Sequence, residues 1–202
     1  DATILIDNDA WHDNEESIQA GFETINQNIA QRLGLLFASG EVVDGVGESV
    51  VDSSEVINTL RPGGIASIGY ASAAAAEDSA ENVNNIITAT RNALLAGTSL
   101  PNAVEADTAL LVVAGDPDRI SRKGVERARN WVEDETGSLE VRGGDFPLDS
   151  ERLAALVLLG GVERSDRIDE FLQRAREAHE KAKQPTPDPD NAFENEQLDD
   201  LF

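Results

Sequence analysis

Two sets of residues have types and spacings that could do chemistry. Asp52 and Glu55 stand three apart in Val51-Asp52-Ser53-Ser54-Glu55-Val56. Carboxylates at that spacing can cap a helix start, the first side chain accepting from the second residue's backbone N–H while the second reaches back. Beside a phosphoryl group the same pair could orient an attacking water as a positioned base. Phe22 and Asn26 stand four apart, a spacing that puts a ring and an amide on one helix face, where both can meet one flat heterocycle. An Asn supplies donor and acceptor together, as the edge of a nucleobase requires. An aromatic at helical spacing is more often a core residue and an isolated Asn more often merely solvated, so spacing alone favours the ordinary reading. Cysteine is absent, which removes disulfides and thiolate chemistry. The two histidines, His12 and His179, lie far apart in the chain, which argues against an imidazole triad or zinc site.

The charge balance limits the partners. Thirty-nine acids face sixteen bases, a net charge of −23, and only Lys123, Lys181 and Lys183 are lysines. Such a surface repels nucleic acid and anionic lipid. No run of about 18 uncharged apolar residues occurs, so no membrane span is expected, and no basic start leads into an apolar stretch as in a signal peptide. A cytoplasmic location follows as the expectation. Self-repulsion of this size is tolerable where concentrated salt shortens the Debye length to roughly 3 Å at 1 M. The acid-rich, lysine-poor composition resembles that of cytosolic proteins of salt-accumulating archaea. Lowering salt from molar to dilute is therefore expected to lower the melting temperature. A melting curve indifferent to salt would remove this argument.

The elements that must position the candidate residues follow from periodicity. Asp1–Ile6 is expected to form a short buried strand, with Asp7 and Asn8 capping a brief helix through Trp11. From Glu15 to Phe37 the residues Ile18, Phe22, Ile25, Ile29, Leu33 and Leu36 recur every three or four positions, predicting a long amphipathic helix. A loop follows from Gly40 to Gly47. A helix is predicted from Asp52 or Ser53 to Arg61 at the latest, before Pro62-Gly63-Gly64. Strands are predicted at 65–71, 109–114, 139–141 and 153–159, and helices at 77–96, 121–135 and 166–183. Gly63-Gly64, Gly143-Gly144 and Gly160-Gly161 are expected to be turns at strand edges. The succession from Ile65 predicts an α/β (α+β) fold, a mixed sheet packed with helices. The proline- and acid-rich segment from Gln184 lacks residues to bury and is expected to be disordered.

The segment Ile6-Asp7-Asn8-Asp9-Ala10, with the long helix carrying Gly21-Phe22-Glu23-Thr24-Ile25-Asn26, resembles the tubulin/FtsZ superfamily. Asn58-Thr59-Leu60, Arg122-Lys123-Gly124, Val141-Arg142-Gly143-Gly144-Asp145 and the ending Gln197–Phe202 look closest to its archaeal CetZ branch. The likeness is colinear over essentially all 202 residues. It implies that Asn8, Phe22 and Asn26 contact a guanine nucleotide, with the Phe22 ring on the base and Asn26 on its edge. It also implies that Asp52 and Glu55 belong to a loop that enters a neighbouring subunit's pocket and polarises the water attacking GTP, Glu55 being the catalytic acid. Where related loops often carry an Asn two residues before the first acid, this chain has Val50.

Implied by the same likeness are GTP or GDP as cofactor with Mg, self-association into head-to-tail protofilaments, and a role in cell shape. An FtsZ-type role in division is the alternative within the superfamily. A non-catalytic module binding a tubulin-like partner, or presenting its tail to an adaptor, is the alternative of another class. The expected organisation is 1–40 as the end of a nucleotide-binding domain with its central helix, 41–183 as a GTPase-activation domain of the tubulin C-terminal kind, and 184–202 as an acidic tail. The chain starts at Asp1, holds no Met and lacks the glycine-rich phosphate loop GGGTGSG. It is therefore expected to be part of a longer protein and to bind GTP weakly or not at all alone.

Overall fold

A computed structural model describes residues 1–11, 18–40, 51–162 and 165–183. The expected helix start at Glu15, the expected loop from Glu41 onward, Val50 and the tail from Gln184 lie outside these residues. The chain divides into two compact units, Asp1–Arg167 and Ile168–Phe202.

In the first unit, five strands form one mixed sheet in the order β1-β2-β5-β3-β4, with β1 at Ala2–Ile4, β2 at Gly64–Ala74, β3 at Ala106–Gly115, β4 at Glu140–Pro147 and β5 at Arg152–Val162. The pairs β1/β2 and β3/β4 are parallel, and β5 runs antiparallel to both β2 and β3. Leu153–Leu159 and Ala109–Ala114 are buried throughout, as near-continuous apolar runs covered on both faces should be. The mixed sheet expected from the sequence is present.

Helices cover both faces of the sheet. Toward one face, Leu36 and Leu33 of α1 (Ile18–Ser39) and Val56 and Leu60 of the α2 region (Ser53–Thr59) join Ile68, Leu110, Val112, Leu156 and Leu158 in one core cluster. Alternation along the strands directs Leu111 and Leu159 to the opposite face, on which α3 (Asn82–Leu95) and α4 (Arg122–Thr136) pack. The helix expected from Glu77 starts at Asn82 because the Asp78 carboxylate first accepts the Ala80 N–H at 2.8 Å and closes a turn. The buried Asn82 amide then ties that turn to the Arg119 carbonyl at 3.0 Å. Helix α4 ends where Gly137 takes a left-handed conformation, φ 64°, and donates to Glu133 O at 3.0 Å.

Three expectations change. Strand β1 is a half-buried edge rather than a buried strand, since it pairs only with β2. Gly143-Gly144 lies inside β4, opposite Leu111 and Val112, so that strand runs on to Pro147. Gly160-Gly161 likewise lies inside β5. Gly160 is required by a close approach: a Cβ there would come 1.9 Å from the Thr59 carbonyl oxygen. The missing side chain lets the end of α2 rest on the sheet, where the Thr108 hydroxyl donates to the same carbonyl at 2.7 Å.

The described part of the second unit belongs to helix α5, which spans Asp166–Lys183 as expected. It carries local i,i+4 contacts, Glu170 with Arg174 at 2.8 Å and Gln173 with Glu177 at 2.9 Å.

Candidate functional site

Helix α1 turns Ile25, Arg32 and Leu36 inward, at 5%, 3% and 2% exposure. Phe22 lies on another side of the helix and is 56% exposed, with Asn26 exposed one turn on. The ring is thus free of the core among the described residues, and the two side chains share a face open to a ligand. Asn8 is exposed at the start of a 3-10 turn, Asn8–Trp11, that leaves the end of β1 and packs against α1. The adjoining chain is pinned: Leu5 N–H donates to Ala66 O, Asp7 N–H to Ser99 O, and Asp7 pairs with Arg167 at 3.1 Å.

Arg32 holds the turn and the helix together. Its guanidinium lies 4.1 Å from the Trp11 ring centroid and 5.8 Å from that of Tyr70. It donates to Gly97 O at 2.6 and 3.2 Å and to Asn28 O at 2.9 Å. Burial pushes its pKa down to about 10, with Tyr70 opposing, so it remains charged near neutrality. Its charge is satisfied by carbonyls and ring faces. The sequence did carry a signal for it, an arginine at an inward position of the stripe Ile25, Ile29, Leu36.

The two acids form a capping box. Asp52 is the N-cap of α2 with extended backbone, and its carboxylate accepts the Glu55 N–H at 3.0 Å and the Ser54 hydroxyl. The Ser54 hydroxyl, then the Glu55 N–H, hold the Asp52 carboxyl below its ordinary value. Burial pushes the Glu55 carboxyl above its ordinary value, against the Asp52 N–H that stabilises its charge. The ordinary capping role is therefore real, and it holds both carboxylates at one helix start. For Asp52 the linkage sign is that of a depressed acid: its stabilisation is present above the unfolded pKa of about 3.9 and lost as pH falls through the folded value. Asp52→Ala is expected to lower the melting temperature at pH 7, with the deficit shrinking as the medium is acidified below about pH 4. A deficit that does not change on acidification would contradict the cap.

The structure unites Phe22 with Asn26, and Asp52 with Glu55, but keeps the pairs apart. The C-terminal end of α1 lies beside the start of α2, with Gly40 and Ser53 close enough that a Cβ on Gly40 would come 3.7 Å from Ser53 Cα. At 1.5 Å per residue, the eighteen positions from Phe22 to Gly40 span roughly 27 Å and the fourteen from Asn26 roughly 21 Å. One nucleoside triphosphate does not bridge that span. Among the described residues no group of three His, Asp or Glu side chains is placed to hold a metal ion, and no helix is long and apolar enough to cross a membrane.

Residues 15–177 match the family described as tubulin-like CetZ, C-terminal domain. The chain belongs to the tubulin-like CetZ family. Over its whole length it is 61% identical to tubulin-like protein CetZ2 of Haloferax volcanii, covering 56% of that protein. It is 44% identical to CetZ1 of the same organism, with 89% of this chain and 52% of that protein aligned. The chain thus spans about half the length of the curated relatives it matches. A solved CetZ2 structure, a GTPγS-bound protofilament, superposes with TM-score 0.83 at 60% identity over 91% of this chain and 53% of that one. FtsZ of M. jannaschii, at 16% identity and TM-score 0.58 over 79% of this chain and 45% of that one, shares the fold. The salt-adapted composition accords with CetZ relatives from Haloferax.

Proposed function

We propose that this chain is the part of a polymerising, tubulin-like GTPase that reads the guanine base of its own nucleotide and supplies acids to the nucleotide of the next subunit. The observation that carries the reading is the separation along α1 between Phe22 and Asn26 at one end and Asp52 and Glu55 beyond the other. A head-to-tail contact, repeated without closure, makes two half-sites of that kind into one working site per interface. Phe22 offers a free ring for stacking, Asn26 an amide for the base edge, and Asn8 a second amide on the adjoining turn. Arg32 fixes that turn to the helix.

The phosphates, with Mg, would be held mainly by the part of the relatives' length that this chain does not span. Glu55, with Asp52 beside it, orients the water that attacks the γ-phosphate of the neighbour's GTP. The solved relatives in nucleotide-bound form, one of them a protofilament, support this reading. The cellular role follows the CetZ family, control of archaeal cell shape from the cytoplasm; FtsZ is a distant neighbour in fold. The test is GTP turnover by the intact protein against its concentration in molar salt, with sedimentation alongside. Turnover per subunit should rise cooperatively with assembly. A rate per subunit independent of concentration and assembly would overturn the proposal.

A further inference from the structure

The motif Val141-Arg142-Gly143-Gly144-Asp145 lies within β4. Within β4, Arg142 pairs with Leu110, whose side chain belongs to the core cluster shared with α1 and Val56 of α2. Cross-strand partners point to the same face, so Arg142 projects to the face on which α2 packs. Helix α2 also packs against β4 itself. The Arg142 side chain is 23% exposed; its Nη2 meets Glu140 Oε1 at 2.6 Å, while its Nε is buried without a hydrogen-bond partner among the described residues. Glu140 is 55% exposed, so water screens much of its charge. Among the described residues the guanidinium thus keeps one buried, unspent donor at Nε, and its charge, shared with a solvent-screened Glu140, lies on the face where α2 packs.

We infer that Arg142 is a positioning residue for the acids of α2, its guanidinium serving from the sheet face under that helix as the counter-charge to Glu55 in the completed intersubunit site. The inference rests on the catalytic reading of Glu55 proposed above. Glu55 is opposed by burial and by the like charge of Asp52, both of which favour its neutral form. Arg142, and more weakly Arg129 of α4, favour the charged form. Arg129 reaches the sheet from α4, donating through Nη2 to Val141 O at 2.9 Å. Arg142 favours the charged form of Asp52 as well. Of the two strand neighbours on the same face as Arg142, Gly144 carries no side chain and Glu140 is its ion-pair partner.

The experiment uses the intact protein with Arg142→Gln and Arg142→Lys, and two readouts. In the first, the Glu55 carboxyl is titrated by NMR with 13C-labelled glutamate, its signal assigned by loss in Glu55→Gln. Arg142→Gln should move the Glu55 titration to higher pH, whereas Arg142→Lys, which keeps the charge, should leave it near that of the unmodified protein. In the second, GTP turnover is followed against pH. The acid limb should move up in Arg142→Gln, with about tenfold loss of rate below it for each unit moved, and the Lys variant should recover most of that loss. A Glu55 titration unmoved by Arg142→Gln would overturn the role of Arg142, whatever the enzyme does. A titration that moves while turnover ignores both Arg142→Gln and Glu55→Gln would instead overturn the catalytic reading of Glu55.

Discussion

Glu55→Gln in the intact protein lowers GTP turnover at least 100-fold, roughly the low end for a positioned base, with GTP binding and assembly retained. Gln is the informative substitution because the capping box and the proposed catalysis need different properties of this side chain. A Gln carbonyl still accepts the Asp52 N–H, so the start of α2 survives. The negative charge that would polarise a water is lost. Glu55→Ala removes both, and should add a loss of thermal stability to the same loss of rate. If Glu55→Gln turns over normally while Glu55→Ala only melts earlier, the residue is a cap alone. The pH dependence has a fixed sign. Burial raises the Glu55 carboxyl, so it takes up its proton above the ordinary glutamate value of about 4.3. The acid limb of turnover should therefore lie above that value, and it should disappear from the residual rate of Glu55→Gln.

The second large effect comes from packing. Gly160→Ala would place a methyl group 1.9 Å from Thr59 O and 2.8 Å from the Thr108 hydroxyl oxygen. The first of these is backbone, which cannot swing aside, so α2 must lift from the sheet or β5 must bend. Overpacking of this kind costs about 1–3 kcal/mol, and in a chain of this size each kcal/mol lowers Tm by roughly 2–4 °C. The strain also reaches the acids, since the Thr59 hydroxyl donates to the Glu55 carbonyl at 2.9 Å. Calorimetry in molar salt should show the lower Tm, and turnover at a temperature well below it should fall as well. A Tm within a degree of the parent would mean that the close approach is not needed.

The sequence disclosed elements whose local signals agree with their tertiary setting. Helix α5 has the expected limits, and Asp52 caps α2 where Pro62-Gly63-Gly64 ends the passage beyond it. Discrepancies arise where a local signal has a non-local cause. Gly143-Gly144 reads locally as a turn because glycine punctuates strands, yet parallel pairing with β3 carries β4 through it. Gly160 looked like a strand end, but its reason is the Thr59 carbonyl, from a helix far earlier in the chain. For Arg32, a cation in an apolar stripe is accounted for by Trp11, Tyr70 and the Gly97 carbonyl, all supplied by other elements. For Phe22, periodicity could not separate core from ligand face. The structure places the ring outside the core formed by the described residues. The distance between the two candidate pairs was legible only once α1 had both ends fixed.

That distance underlies the central proposal, that each nucleotide site is the work of two subunits. The direct measurement mixes two impaired forms of the intact protein, one carrying Phe22→Ala with Asn26→Ala, the other Glu55→Gln. The first should bind nucleotide weakly but keep its acids, and the second should bind GTP but lack the base. Each alone should turn over GTP slowly. In co-assembled filaments, GTP held by a Glu55→Gln subunit faces the intact Glu55 of its neighbour, so mixing should restore turnover well above the sum of the separate rates. Turnover that stays at that sum, in filaments shown by sedimentation to contain both forms, would contradict the account.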